Sequence, residues 1–195
     1  ATVVAVRECE LKEGGVVVKK AHVGEQFSVQ DIDGRRLLLS GADSVWADGA
    51  DFLELDAAVE HFSKLLKSDP SDWRALCARG RAREELGESY AGMADLDEAV
   101  RLNPCCETYR RRGGAYANRG MSQRALADLD EAIRRDPKSA VAFRERAVVF
   151  QNFGEYAKSL ADMHKAVQIE PTSVYFLTCR RQILLRKDQA EKSLA

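Results

Sequence analysis

The sequence predicts a multidomain α and β chain, with a small β-barrel over residues 1–54 and an all-α solenoid of stacked helical hairpins over residues 55–195. Pro70, Pro104, Pro137 and Pro171 recur at intervals of 34, 33 and 34 residues. The segments ahead of the last three align without gaps: Leu96-Asp97-Glu98-Ala99-Val100, Leu129-Asp130-Glu131-Ala132-Ile133 and Met163-His164-Lys165-Ala166-Val167. A period in the low thirties over helix-compatible sequence marks a hairpin repeat, which cannot bury its apolar face alone and stacks on its neighbours. Ahead of residue 55 the pattern changes to short apolar runs broken by glycine, which is strand and turn sequence.

Residues 3–7, 16–18, 26–32, 36–40 and 44–47 read as short strands, separated chiefly by Gly14-Gly15, Val23-Gly24 and Asp33-Gly34. Asp33-Gly34 is the strongest of these turn signals, because both residue types accept the positive φ of a two-residue hairpin turn. About five strands in so short a segment suit a small barrel or a half-open sandwich. The segment resembles the bacterial Src-homology-3-like (SH3-like) domains through Val23-Gly24-Glu25-Gln26-Phe27-Ser28-Val29, the Asp-Gly hairpin that follows, and Val45-Trp46-Ala47. That resemblance implies binding of proline-rich peptides or of cell-wall peptides, although only Phe27, Trp46 and Phe52 are present to line an aromatic groove. The other reading of the barrel is structural: it covers the face of the first helix, which has no hairpin partner ahead of it.

That lead helix, about residues 55–69, carries Ala58, Phe62 and Leu65 in the register of a second hairpin helix. Three hairpins follow, at about 71–104, 105–137 and 138–171, and then a single capping helix at about 172–190. Its Arg180-Arg181 and Arg186-Lys187-Asp188 give the charged outer face that a terminal unit needs. Seventeen residues before Pro104, Pro137 and Pro171 stand Gly87, Gly120 and Gly154, placed to end the first helix of each hairpin in a left-handed cap. Twenty-four residues before the same prolines stand Gly80, Gly113 and Ala147, small residues inside a helix that predict close approach of a second backbone. Each proline closes the second helix by pushing its predecessor out of the helical region.

These positions resemble the tetratricopeptide repeat (TPR) family from about residue 55 to about residue 187. The family expects a small residue early in the second helix (helix B), a large apolar one four later and a small one three after that. Ala125, Leu129 and Ala132 meet it, as do Ser159, Met163 and Ala166, and Gly92, Leu96 and Ala99. Tyr109 with Tyr116, and Phe143 with Phe150, match the large residues of the first helix (helix A), seven apart on one face. Gly92 and Ala147 are exchanged relative to the family pattern, and the second repeat is one residue short before Tyr109. The resemblance implies a right-handed solenoid of about three repeats acting as a non-catalytic adaptor or scaffold, with a partner's peptide or helix held in its concave groove. Two alternatives stand beside it: an envelope-associated module whose barrel binds wall material, and an accessory piece of a larger enzyme.

Arginines divide into two classes. Arg79, Arg112 and Arg146 each precede the small crossing residue and are each followed sixteen residues later by an acid, Asp95, Asp128 and Asp162. A planar guanidinium binds a carboxylate through two hydrogen bonds, so these are expected to tie helices together. Arg74, Arg81, Arg110, Arg111 and Arg144 fall at helix A positions that line the groove in the family, accompanied by Asn118 and Asn152. They favour an acidic or carboxylate-bearing peptide, although the asparagines that the family's carboxylate clamp places beside such cations are absent and Gly114 occupies one of those sites. The same arginines can instead be solvated or pair with Glu84, Glu85 and Glu145.

Composition narrows the function classes further. Residues 1–54 carry 6 basic and 10 acidic side chains and residues 55–195 carry 24 and 21, so there is no strong basic field for nucleic acid. No apolar run approaches the roughly eighteen residues of a membrane-spanning helix. Cys9, Cys77, Cys105, Cys106 and Cys179 match neither a zinc nor a redox spacing and read as buried or incidental thiols; no metal and no cofactor is expected. His22, His61 and His164 lie beside no recognisable nucleophile, carboxylate pair or phosphate loop, so no catalytic residue is assigned. The sequence begins at Ala1, which is compatible with a bacterial cytoplasmic protein or with an envelope protein whose signal peptide has been removed. Nothing in it sets an oligomeric state.

The register makes Ala132 a point where two helices cross. Ala132→Phe is expected to overpack that contact at a cost of about 1–3 kcal/mol in chemical denaturation, and a neutral result contradicts the register.

Overall fold

The computed structural model describes residues 2–5, 9–13, 16–21, 26–33, 36–39, 45–48 and 52–193, with side chains described for residues 2–5 and 53–192. The chain divides into two compact units, Ala1–Asn103 and Pro104–Ala195.

Among the described residues the first unit contains seven strands, β1 (Thr2–Ala5), β2 (Cys9–Glu13), β3 (Val16–Ala21), β4 (Gln26–Asp33), β5 (Arg36–Leu39), β6 (Val45–Asp48) and β7 (Phe52–Glu54), then helices α1 (Leu55–Ser68), α2 (Trp73–Glu85) and α3 (Ser89–Leu102). Five strands form an antiparallel sheet in the order β6-β5-β4-β1-β7, and β2 pairs with β3 alone. β4 pairs antiparallel with β5, with Asp33 opposite Arg36. Two strands exceed the sequence expectation. β2 carries charge at Glu10, Lys12 and Glu13, which hides its alternation, and β7 is only three residues long. Expectations that rest on turn residues 14–15, 23–24 and 34, and on the side chains of Cys9, His22, Phe27, Trp46 and Phe52, lie outside the described residues.

β1 pairs with both β4 and β7, and α1 begins immediately after β7. β1 and β7 both lie against α1, and Val3, Val4, Ala5, Ala58 and Phe62 are buried.

Among the described residues the second unit is all helical: α4 (Cys106–Asn118), α5 (Ser122–Arg135), α6 (Ala140–Asn152), α7 (Tyr156–Ile169) and α8 (Val174–Ser193). Helices α2, α4 and α6 are the A helices of three hairpins, and α3, α5 and α7 the B helices. Every A helix ends in the same way. Gly87, Gly120 and Gly154 have φ of 81°, 70° and 73°, and the following amide reaches back to the carbonyls of Arg83, Tyr116 and Phe150. That is the Schellman closure, and it needs a residue without Cβ at the left-handed position. The B helices end instead on non-helical residues, Asn103, Asp136 and Glu170, each directly ahead of its proline. Helix starts are capped where a short polar side chain is available: Asp72 accepts from the Arg74 and Ala75 amides and Ser139 from the Ala142 amide.

Crossing geometry explains the small residues. A Cβ built on Gly80 would stand 2.9 Å from the Gly92 carbonyl oxygen, and one on Gly92 would stand 2.7 Å from the Gly80 carbonyl oxygen. The first hairpin is therefore closed by two glycines in mutual contact. In the second, a Cβ built on Gly113 would stand 3.1 Å from the Leu129 side chain and 3.3 Å from the Ala125 carbonyl oxygen. In the third, Ala147 meets Ser159, whose buried hydroxyl donates to the Ala147 carbonyl at 2.8 Å. Behind these crossings the large and small B-helix residues are fully buried: Leu96, Leu129 and Met163, with Ala99, Ala132 and Ala166.

A paired substitution checks this account. Gly80→Ala is expected to destabilise by about 1–3 kcal/mol despite alanine's better helix propensity, since backbone must shift to admit the methyl. Gly114 has no atom within 4 Å of its would-be Cβ, so Gly114→Ala is expected to stabilise by up to about 1 kcal/mol in the same urea titration.

Candidate interaction surface

Each A helix carries one arginine that is clamped side-on by a buried aspartate. Arg79 donates from Nε and Nη2 to Asp95 at 2.8 and 2.7 Å, Arg112 to Asp128 at 2.8 and 2.8 Å, and Arg146 to Asp162 at 2.8 and 2.7 Å. Asp95, Asp128 and Asp162 are 5–7% exposed, so each carboxylate depends on its arginine for the hydrogen bonds that water no longer supplies. The remaining guanidinium nitrogen can reach back to the preceding helix: Arg79 Nη1 donates to Ser63 of α1 at 3.2 Å and Arg146 Nη1 to Asp130 of α5 at 2.6 Å. One side chain thus ties three consecutive helices.

Aromatic residues finish the clamp. Arg112 lies between Tyr109 and Tyr116 at 5.8 and 5.9 Å from their ring centres, and Arg146 lies between Phe143 and Phe150 at 5.8 and 5.9 Å. The large residues seven apart therefore flank the cation three and four places away on the same face. The first hairpin has Leu76 and Arg83 at those places, and Arg83 donates a further bond to Asp95 at 2.8 Å.

The A helices of the second unit share a polar face. Arg110 of α4 donates to Glu145 of α6 at 2.6 Å and to Glu107 at 2.6 Å; Arg111 bonds Glu107 at 2.5 Å. Arg144 donates to Glu145 at 3.2 Å and to the Tyr175 hydroxyl of α8 at 3.2 Å. Three arginines thus face two carboxylates across α4, α6 and α8. Burial works against the Arg110 cation, but Glu145 and Glu107 outweigh it and raise its pKa. Burial likewise pushes the Glu107 carboxyl up, and Arg111 and Arg110 overcome this to hold it at about 2. The other expected residues on this face stand differently: Asn118 and Asn152 are exposed, with no hydrogen-bond partner for their side chains among the described residues. Val141 and Val148 of α6 are 37% and 38% exposed.

In the first unit, Arg74 is exposed and stacks over Trp73 at 4.4 Å, and Arg81 is partly buried with a partner of its own. Sequence spacing found the buried clamps; it missed Ser63, Asp130 and Arg83, because these partners do not recur in every repeat. The Glu107 to Arg110 and Arg111 pairs are ordinary helical neighbours three and four apart and were readable as such. Cys77 is buried and Cys105, Cys106 and Cys179 partly so; burial pushes the Cys106 thiol pKa up, which suppresses its thiolate. No group of three metal-ligating side chains occurs among the described residues, nor a helix long and apolar enough to cross a membrane.

The sequence profile of the tetratricopeptide repeat family matches residues 51–104 and 110–174, more than half of the chain, and the chain belongs to that family. No curated protein matches the sequence. Among solved structures, one described as MamA is similar at 24% identity with a TM-score of 0.57, over 71% of this chain and 83% of that one. MamA from Desulfovibrio magneticus RS-1, from residue 41 to its end, is similar at 19% identity and a TM-score of 0.58, over 72% of this chain and 80% of that one. The TPR domain of Arabidopsis OM64 is similar at 20% identity and a TM-score of 0.51, over 57% of this chain and 93% of that one. At these identities the likeness is one of fold. Family membership makes protein interaction, without catalysis, the general expectation for the helical region.

Removing one partner of a clamp leaves the other buried and uncompensated. Arg112→Ala is expected to cost about 3 kcal/mol, whereas Arg112→Leu with Asp128→Leu costs much less, both read from urea denaturation midpoints. Glu107 supplies a pH test. Its carboxyl is lowered on folding from 4.5 to about 2, so the stability it contributes is complete above about pH 4.5 and is lost as pH falls through about 2. The stability gap between wild type and Glu107→Gln is expected to close over that interval, and a gap independent of pH contradicts the pairing.

Proposed function

We propose that this chain is a non-catalytic adaptor that holds a partner's peptide or helix on the A-helix face of the unit Pro104–Ala195. The observation that carries the reading is the pair Asn118 and Asn152, which stand one repeat apart on α4 and α6, exposed and with unoccupied amides. A carboxamide offers a donor and an acceptor together, the complement of a peptide's own C=O and N–H, so two such groups hold a backbone without reading its side chains. Val148, one turn before Asn152, Val141 nearer the start of α6, and the open space over Gly114 supply apolar contact.

Charge on this face favours an acidic ligand. Arg110, Arg111 and Arg144 outnumber Glu107 and Glu145, and because those arginines are already paired, the attraction comes from the surplus cation rather than from a free clamp. Arg74 and Arg81 of α2 carry the same expectation for the first unit taken by itself. In this reading residues 1–54 form a strand domain of the SH3-like barrel kind ahead of a helical array over 55–195, and its role is structural. The support is that β1 and β7 lie against α1, where no helix A precedes it.

Selection of a random peptide library on the intact chain tests the proposal. The expected result is a set of acidic peptides that lose about tenfold in affinity on an Asn118→Ala, Asn152→Ala variant with unchanged circular dichroism. Peptides that bind both proteins equally overturn the assignment of the site, and sedimentation of the chain with insoluble cell-wall material instead moves recognition to residues 1–54.

A further inference from the structure

Glu107 stands where the repeat asks for no acid. Six residues before the small crossing position, its place in α4 is taken by Arg74 in α2 and by Val141 in α6. Its carboxylate is nonetheless fully engaged. One oxygen accepts from Arg111 Nε at 2.5 Å, and the other accepts from Arg110 Nη2 at 2.6 Å and Nε at 3.2 Å. Two adjacent guanidinium groups thus grip one carboxylate by both of its oxygens, which is also how a ligand's carboxylate is held. Exposure divides the partners. The Arg110 and Arg111 side chains are 13% and 9% exposed, whereas that of Glu107 is 37% exposed. Arg110 keeps a second bond, to Glu145 at 2.6 Å, but Glu107 is the only partner of Arg111 among the described residues. Withdrawal of Glu107 therefore returns an accessible carboxylate to water and leaves a nearly buried guanidinium in want of an acceptor. Gly114 follows Arg110 by four places and Arg111 by three, so the open space over it lies one turn along the same face of α4.

We propose that Glu107 is a built-in competitor: it occupies a carboxylate subsite made by Arg110 and Arg111, and an acidic group of the bound peptide takes its place. The inference rests on the reading of this face as a peptide site and adds how the affinity of that site is set. A carboxylate tethered one turn away competes at high effective concentration, so a free acid at low concentration does not displace it. A peptide held at the same time by Asn118 and Asn152 is tethered in its turn and does. Acidic peptides are thereby accepted only when the rest of the peptide fits as well. The exchange conserves charge, since one carboxylate leaves the two guanidinium groups as another arrives, and Glu145 keeps Arg110 in place throughout. An acid that serves only the first turn of α4, by complementing the helix dipole, entails a different outcome: its removal costs stability and gains nothing in binding.

Acetate is the probe for the subsite. In urea denaturation the Glu107→Ala chain is expected to gain stability saturably with sodium acetate, against sodium chloride at equal ionic strength, while wild type and the Glu107→Ala, Arg111→Leu chain do not. Acidic peptides selected on the intact chain are expected to bind Glu107→Ala about tenfold tighter than wild type, with circular dichroism unchanged, and to lose that gain when their acids are changed to amides. Acetate acting alike on all three chains, or acidic peptides that bind Glu107→Ala no tighter than wild type, overturns the proposal. Peptides that lose affinity on the Asn118→Ala, Asn152→Ala chain but ignore Glu107→Ala overturn it while leaving the peptide site standing. Acetate recovery and tighter binding with no dependence on the two asparagines support the subsite and overturn the assignment of the peptide site instead.

Discussion

A guanidinium held side-on by a buried carboxylate sets the geometry of the helical hairpins. The arginine leaves the A helix one residue before the small crossing position, and its aspartate leaves the B helix one residue before the large core position, as in Arg112 with Gly113 and Asp128 with Leu129. The polar clamp and the apolar crossing are therefore adjacent in both helices. A planar group that donates only in its own plane fixes rotation of one helix about the other, while the glycine or alanine beside it fixes their separation. Neither suffices alone. Apolar crossings tolerate sliding, and a buried ion pair by itself is weak evidence of stability because desolvation offsets much of its attraction.

How the three hairpins vary shows which parts are interchangeable. Two glycines in backbone contact, glycine against alanine, and alanine against a hydrogen-bonded serine all satisfy the crossing. Likewise an aromatic pair flanks the clamp in two hairpins, and a second arginine on Asp95 stands in for it in the first. The side-on pair itself is the constant.

The parts of the fold that repeat were legible in the sequence: the prolines, the left-handed glycines, the small crossing residues and the sixteen-residue arginine to aspartate spacing. Features present once were not. β2 is masked by its charges, β7 by its brevity, and the reach of Arg79 to Ser63 or Arg146 to Asp130 uses a position whose residue type changes from helix to helix, Ser63, Asp97, Asp130 and His164. The candidate groove was half legible. Helical register placed Arg110, Arg111, Arg144, Asn118 and Asn152 on A helices, but whether an exposed cation is free or paired depends on side chains from the next helix. Glu145 lies 35 residues from Arg110, a contact that only stacking creates. On this face the arginines are engaged by carboxylates, whereas Asn118 and Asn152 are exposed with no side-chain partner among the described residues.

A double-mutant cycle at Arg146 and Asp162, each changed to alanine singly and together and followed by urea denaturation, tests the central claim most directly. If the side-on pair governs how α6 and α7 meet, the coupling free energy is about 2 kcal/mol or more. A coupling near zero, with the two single changes simply additive, would contradict it and leave apolar packing as the sole determinant of the hairpin.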